Sequence, residues 1–261
     1  MLKTIFHGLL LGLVLLSPPG WAALGEAEAV NLSGMQRMLS QRIAKNYLMI
    51  GAEVRSDVAT RQLEQSLSQF ESNLASLEQY GDDPAIDQQL VRVGTLWQSY
   101  RSQVSALPSR EGALRVLALS DQLLAECETL VQRIEQHSAS QNAHLVNRSG
   151  RQRMLSQRIA KLYLALSWEL PQPDLQKDFE QAVNEFSLAL EELRAAPQNT
   201  ASINAALTKA NAQWAFSQSG FRLSASTRYV PTLISTTCDT LLKQMDGLVL
   251  AYAELPASKA L

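Results

Sequence analysis

Val30–Leu48 reads VNLSGMQRMLSQRIAKNYL, and Val146–Leu164 reads VNRSGRQRMLSQRIAKLYL. Sixteen of these nineteen positions are identical, at an offset of 116 residues. The same offset relates Gln62–Leu77 to Asp178–Leu193 with only five identities in sixteen. The chain is therefore a tandem repeat whose first segment has diverged least. Since packing tolerates exchange among apolar residues of similar volume, the identity indicates a constraint beyond packing.

Each half of the chain has the pattern of four amphipathic helices. Apolar residues recur at spacings of three and four, and proline or glycine interrupts the pattern between segments. The predicted helices are 25–55, 57–80, 84–107, 111–138, 141–169, 173–196, 199–221 and 229–254. This pattern predicts an all-α protein of two tandem up-down four-helix bundles, residues 23–140 and 141–261, able to form a pseudo-dimer.

Composition excludes several classes of function. The formal net charge is −2, which argues against nucleic-acid binding, because neutralising phosphates requires clustered Lys and Arg. Three His and two Cys provide no cluster with metal-ligand spacing. The sequence also lacks a phosphate-binding glycine loop, a nucleophile elbow and a zinc-protease motif. We therefore expect neither an enzyme nor a metal or other cofactor.

Residues 1–22 have the pattern of a cleavable signal peptide. Lys3 supplies the positive end, Leu9–Leu16 is a short apolar run, and Pro18-Pro19 precedes small residues suited to cleavage. An uncleaved membrane anchor would need roughly 18 apolar residues, and the two prolines end the run sooner. We expect export to the periplasm as a soluble protein.

The repeated helix carries a glycine one turn before an arginine. Gly34, Arg37 and Gln41 share one face, and their counterparts are Gly150, Arg153 and Gln157. A glycine allows a neighbouring backbone to come close, so pairing of the two helices would bring Arg37 and Arg153 together. Two guanidiniums at close range favour an anion between them, and a planar oxyanion matches their donor geometry. The alternative is that both arginines are solvated or paired with glutamates at a bundle surface.

The motif G-x-QRMLSQRIAK, preceded by Val-Asn and followed by Tyr-Leu, resembles the signature of the PilJ-type sensory domain of type IV pilus chemotaxis transducers. It resembles more distantly the NarX and NarQ nitrate and nitrite sensor kinases. The resemblance implies a periplasmic four-helix bundle that binds nitrate, and nitrite more weakly, between the first helices of two subunits. It assigns the anion chiefly to Arg37 and Arg153, with Gly34 and Gly150 at the contact. The supporting residues would be Asn31, Asn147, Gln41, Gln157, Arg42 and Arg158.

Two copies in one chain raise the question of how the site is assembled. The copies can pair within the chain as a pseudo-dimer, or each can pair with its equivalent in a homodimer. A continuous helix through residues 137–143 would separate the halves and leave only the homodimer. Since no segment after residue 22 is long and apolar enough to span a bilayer, we expect the protein to report to a membrane-bound sensor or chemoreceptor.

Cys127 and Cys238 lie at matching places on the last helix of each half by the sequence alignment. An oxidising compartment allows a disulfide between them, and the alternative is two small buried core residues. Two functional classes remain open. One is a nitrate sensor or binding protein, and the other is a helical adaptor that binds no ligand and serves the type IV pilus or chemosensory machinery.

Overall fold

The computed structural model describes residues 24–80, 83–138, 142–224 and 229–256. These residues form eight α-helices and no strand: α1 (Glu26–Gly51), α2 (Ser56–Leu77), α3 (Pro84–Val104), α4 (Arg110–His137), α5 (Ala143–Ser167), α6 (Leu175–Ala195), α7 (Ala201–Ser224) and α8 (Pro231–Ala253). The predicted all-α class is confirmed. The predicted signal segment, residues 1–22, lies outside the described residues, and no described helix is long and apolar enough to cross a membrane.

The helix ends follow local chemistry. Asp83 caps α3 by accepting hydrogen bonds from the backbone nitrogens of Ala85 at 2.7 Å and Ile86 at 3.3 Å. Ser109 caps α4 in the same way. The predicted first helix, 25–55, is too long by one turn. It ends at Gly51, because Glu53 and Arg55 adopt left-handed backbone angles (φ 56° and 49°) that turn the chain into α2.

The two halves pair within one chain, through α1 and α5. Each of these helices is central: α1 packs against α2, α4 and α5, and α5 packs against α6, α8 and α1. No continuous helix joins the halves, since α4 ends at His137 and the backbone of Ser138 is extended (ψ 129°). The halves therefore form the intramolecular pseudo-dimer that the sequence left open.

Contacts at two heights of α4 show that α1 and α5 run parallel. Glu128 contacts Arg37 of α1 and Arg151 of α5. Two turns earlier, Ser120 contacts residues further along both helices, Gln41 and Lys161. A contact nearer the start of α4 is therefore nearer the end of both α1 and α5, which means that α4 is antiparallel to both and that α1 and α5 are parallel to each other. The pairing has the geometry of two subunits related by an axis parallel to the bundle.

Because α1 and α5 are enclosed on nearly every face, the polar residues of the repeat are buried. Gln36 and Gln152 are both fully buried. Each donates a side-chain hydrogen bond of 3.0 Å to a carbonyl of the neighbouring helix, Phe70 on α2 and Phe186 on α6. A buried amide costs free energy unless it is bonded, so these positions tolerate little exchange. Much of the repeat identity follows from this requirement.

The last helices of the two halves align with a different offset from the first helices. Gln41 donates to the carbonyl of Ser120, and its counterpart Gln157 donates to the carbonyl of Cys238. Ser120, and not Cys127, is therefore the counterpart of Cys238, at an offset of 118 residues. Cys127 lies two helical turns from that position. Both cysteines are buried free thiols, so the disulfide alternative is wrong.

Candidate functional site

The two predicted arginines meet at the closest approach of α1 and α5. A Cβ built on Gly34 would lie 3.4 Å from Nη2 of Arg37 and 3.5 Å from Nη2 of Arg153. A Cβ on Gly150 would lie 3.3 Å from Nη2 of Arg153 and 3.6 Å from Nη2 of Arg37. One guanidinium from each half therefore reaches into the same space, which exists because both helices carry glycine there.

Arg37 is completely buried and already paired. Its Nη1 donates to Oε2 of Glu128 on α4 at 2.9 Å. Its Nη2 donates to Oδ1 of Asn147 on α5 at 2.7 Å, and to the carbonyl of the same residue at 3.4 Å. Arg37 thus connects its own half to the other half through a charge-assisted hydrogen bond.

Arg153 occupies the equivalent place with weaker bonds. Its Nη1 lies 3.3 Å from Oδ1 of Asp246 on α8, and its Nη2 donates to the carbonyl of Asn31 at 3.3 Å. The Asn31 side chain does not repeat the bond that Asn147 accepts, and its Oδ1 is buried without a partner. The surroundings of the two guanidiniums are therefore related by symmetry but not identical.

Several buried polar atoms at this contact have no partner. The Nε atoms of Arg37 and Arg153 are both buried and unbonded. An N–H group hidden from water without an acceptor costs roughly 1–3 kcal/mol. Two such donors, one on each converging guanidinium, are the kind of groups that an oxyanion would satisfy.

Burial sets the electrostatics of the pair. It lowers the pKa of Arg37, although Glu128 raises it in part. It also lowers the pKa of Arg153, where Asp246 acts against the burial effect and Arg37 adds a like-charge contribution. Arginine remains protonated despite such shifts. Both guanidiniums are therefore cationic, and each disfavours the charge of the other.

A second layer of buried charges lies two turns further along the helices. Lys45 of α1 pairs with Asp239 of α8 at 2.5 Å, and Lys161 of α5 pairs with Asp121 of α4 at 2.7 Å. Each pair joins one half to the other. Both lysines are fully buried, and burial lowers the pKa of Lys161 to about 8. Helix spacing alone did not point to Lys45 and Lys161, although their identity in both repeats was the available signal.

The predicted supporting residues have three different placements. Asn31 and Asn147 lie at the arginine contact. Gln41 and Gln157 instead bond the last helix of their own half. Arg158 forms an ion pair of 2.9 Å with Asp121. The counterpart of Arg158, Arg42, lines a cleft between α1, α2 and α8.

Arg37 also lines a cleft of about 360 Å³ between α4, α5 and α6. Charges of both signs surround it. Arg148 pairs with Glu192, and Arg151 lies 3.3 Å from Glu128 and 3.2 Å from Glu185. Arg151, which replaces Met35 of the first half, thus shares a carboxylate with Arg37.

Within the described part of the chain, no group of three His, Cys, Asp or Glu side chains is placed to hold a metal ion. The aromatic residues Trp97 and Trp214 belong to the bundle cores: Trp97 stacks on Phe70 with ring centroids 4.0 Å apart, and Trp214 packs against Phe186 at 4.3 Å with tilted rings. The arginine contact is therefore the feature that combines buried charge, unbonded donors and contributions from both halves.

The fold and this contact define the class: paired helical sensory bundles that present one arginine each at a shared interface. Residues 20–123 and 136–217 match the family model described as PilJ, type IV pili methyl-accepting chemotaxis transducer N-term. The chain belongs to this family, and the family defines its general function as that of a sensory domain associated with chemoreceptor signalling. No curated protein and no solved structure matches the chain significantly.

The paired carboxylates predict acid sensitivity. Burial alone would raise the pKa of Asp121 and Asp239, but Lys161 and Lys45 hold both pKa values below the usual range. A carboxylate with a lowered folded-state pKa stabilises the fold above its unfolded-state pKa and loses that contribution as the pH falls through the folded value. We therefore expect the free energy of unfolding to fall as the pH drops below the ordinary carboxylate pKa of about 4.

Urea denaturation between pH 7 and 3 measures this loss. Asp239→Asn should flatten the pH dependence, whereas Glu111→Gln, which breaks an exposed ion pair with Arg115, should not. Asp246 has the opposite effect on the free energy of unfolding. Burial raises its pKa despite Arg153, so its protonation at low pH favours the folded state. An Asp239→Asn protein with the wild-type pH dependence would exclude this carboxylate as the source.

Proposed function

We propose that the protein is a periplasmic, non-enzymatic sensor that binds a small oxyanion, nitrate best and nitrite more weakly, between α1 and α5. It is exported by its N-terminal signal segment and reports the bound anion to a membrane-bound chemoreceptor or sensor. One observation carries the proposal. The buried guanidiniums of Arg37 and Arg153 converge from the two halves on the Gly34–Gly150 contact.

The chemistry of the contact supports a planar monovalent anion. Its oxygen atoms would accept hydrogen bonds from the two guanidiniums, whose Nε atoms are buried without a partner among the described residues. Its charge would offset the repulsion between two cations in a buried environment. A divalent anion such as sulfate carries a larger desolvation cost at a site that already contains Glu128 and Asp246.

The position between the halves suggests how binding is reported. Arg37 bonds Asn147 and Arg153 bonds Asn31, so each guanidinium touches the opposite half. An anion that draws the guanidiniums together changes these bonds, and with them the packing of α1 against α5. A ligand shifts a conformational equilibrium only by its difference in affinity between the states, and contacts made across the interface provide such a difference.

The helical adaptor is the second candidate, and one observation favours it. Glu128 and Asp246 already neutralise the two arginines without any ligand. On this interpretation the arginine contact only holds the halves together. The two candidates differ in whether an anion binds.

Isothermal titration calorimetry of the mature protein with nitrate, nitrite, chloride and sulfate separates the two candidates. We expect nitrate to bind with a dissociation constant of about 1–50 μM, nitrite more weakly, and chloride and sulfate not measurably. Arg37→Lys and Arg153→Lys should each weaken nitrate binding at least about tenfold, since an ammonium lacks the planar fork. A wild-type protein that gives no heat with nitrate would favour the adaptor.

A further inference from the structure

Two pseudo-symmetric clefts flank the central helices, and they have diverged in charge. One lies between α4, α5 and α6 and contains Met154 and Arg158. The other lies between α1, α2 and α8 and contains their counterparts Met38 and Arg42. Their volumes are about 220 and 720 Å³. Neither Gly34 nor Gly150 lines these clefts, although Glu128 in the smaller and Asp246 in the larger also pair with Arg37 and Arg153 of the proposed anion site.

In the smaller cleft, the arginines are neutralised by carboxylates of the same cleft. Arg158 lies 2.9 Å from Asp121, and Arg151 lies between Glu128 and Glu185 at 3.3 and 3.2 Å. Each arginine in this cleft therefore has a carboxylate in contact, and no cation is left for a ligand.

The larger cleft has an arginine without a partner. Within the described residues Arg42 forms no hydrogen bond or ion pair, and its Nε is buried. The carboxylate equivalent to Asp121 is Asp239, but it is occupied by Lys45 at 2.5 Å and Gln62 at 3.1 Å. The other nearby carboxylate, Asp246, is paired with Arg153. Asp239 and Asp246 interact with Arg42 through space, but neither forms a hydrogen bond or ion pair with it, so the donors of this guanidinium are open to a ligand.

The other residues that line the larger cleft indicate which chemical class of ligand it fits. The positions of Arg151 and Glu185 are taken here by Met35 and Gln69, so the ionic bridge of the smaller cleft is replaced by an apolar surface and an amide. Met38 and Leu39 extend the apolar surface, and hydroxyl and amide side chains of α2 form the rim. An apolar floor beside one guanidinium matches a small molecule with a carboxylate and an apolar body.

We propose that the cleft containing Arg42 is a second ligand site that binds a small organic carboxylate with an apolar body. The Arg42 guanidinium donates two hydrogen bonds to the carboxylate, and Met35, Met38 and Leu39 contact the apolar body. Glu64 lies at the exposed rim of the same cleft, so the ligand can also carry an ammonium group next to its carboxylate. The site does not depend on anion binding between Arg37 and Arg153.

The test uses 3-phenylpropionate, L-phenylalanine and phenethylamine as probes on the full mature protein, in buffer without nitrate. Calorimetry should detect the two carboxylates and not the amine. The ratio of the affinities for 3-phenylpropionate and L-phenylalanine distinguishes a plain carboxylate site from an amino-acid site. Arg42→Gln should weaken binding about tenfold or more, with circular dichroism unchanged because Arg42 holds no partner.

Arg158→Gln is the matched control, since it removes the equivalent arginine from the smaller cleft and should leave the affinity unchanged. The double variant Met35→Arg/Gln69→Glu installs the ionic bridge of the smaller cleft and should abolish binding. Gly34→Ala, which fills the contact between Arg37 and Arg153, should leave probe binding intact. The proposal is overturned if no carboxylate binds the wild type, if Arg42→Gln binds normally, or if Arg158→Gln loses binding equally.

Discussion

Gly34→Ala and Gly150→Ala are expected to abolish nitrate binding and to leave the ligand-free fold at least as stable as wild type. Each new Cβ would lie 3.3–3.6 Å from both Nη2 atoms, within the space that the anion must share with the guanidiniums. The contact is ordinary or slightly tight, so a small shift of flexible side chains accommodates it. Alanine also favours a helix interior over glycine by about 1 kcal/mol.

This substitution separates ligand binding from folding. We expect the nitrate affinity measured by calorimetry to fall at least about a hundredfold, or roughly 2.7 kcal/mol, while the urea midpoint stays or rises. Gly247→Ala on α8 is the control, because a Cβ there meets nothing within 4 Å. It should show the same gain in helix stability and normal nitrate affinity. Normal binding by both Gly34→Ala and Gly150→Ala would place the anion elsewhere.

Arg37→Ala should destabilise the ligand-free protein by about 3–5 kcal/mol, the usual cost of breaking a buried ion pair. Arg37 is one of the largest fully buried side chains. Its removal leaves a cavity, an Asn147 oxygen without its donor and a Glu128 carboxylate that keeps only Arg151 and Gln132 as partners. Relief of repulsion with Arg153 acts in the opposite direction, but it is smaller because both cations are already paired.

Like-charge repulsion between Arg37 and Arg153, taken alone, would predict that removing one arginine does not reduce the stability of the ligand-free protein. Urea denaturation followed by far-UV circular dichroism decides between the two predictions. Arg115→Ala breaks an exposed ion pair with Glu111 and should cost less than about 1 kcal/mol. Arg37→Met retains much of the volume, so the difference between the Met and Ala variants measures the cavity. An Arg37→Ala protein as stable as wild type would show that repulsion dominates.

The sequence predicted the features of the fold whose signal is local or repeated. The helix pattern of three and four predicted all eight helices, and errors are confined to their ends, as at Gly51, where two left-handed residues turn the chain. The Gly34 and Gly150 spacing predicted the close approach that the structure shows. Capping residues such as Asp83 and Ser109 follow from neighbouring side chains alone.

The sequence failed where the answer depends on which helices enclose a residue. The alternative that places both arginines at a bundle surface is wrong, because α1 and α5 are central and Arg37 is fully buried. The identical lysines and glutamines of the repeat were not recognised as interior groups, because a helix enclosed on all sides has no apolar stripe. Their identity was the signal, since a buried polar group must keep its partner.

The sequence alone determined the repeat, the helical class and the two glycine–arginine pairs, because periodicity and close backbone approach are local properties of one helix. Only the tertiary structure decided the partners: Glu128 and Asp246 for the two arginines, and Asp239 and Asp121 for Lys45 and Lys161. Among the described residues it gives the buried Nε of Arg42 no partner. The first helices repeat at an offset of 116 residues and the last helices at 118. A difference of two residues rotates a helix by about 200°, so the partner of each buried charge depends on how separate helices are aligned in space.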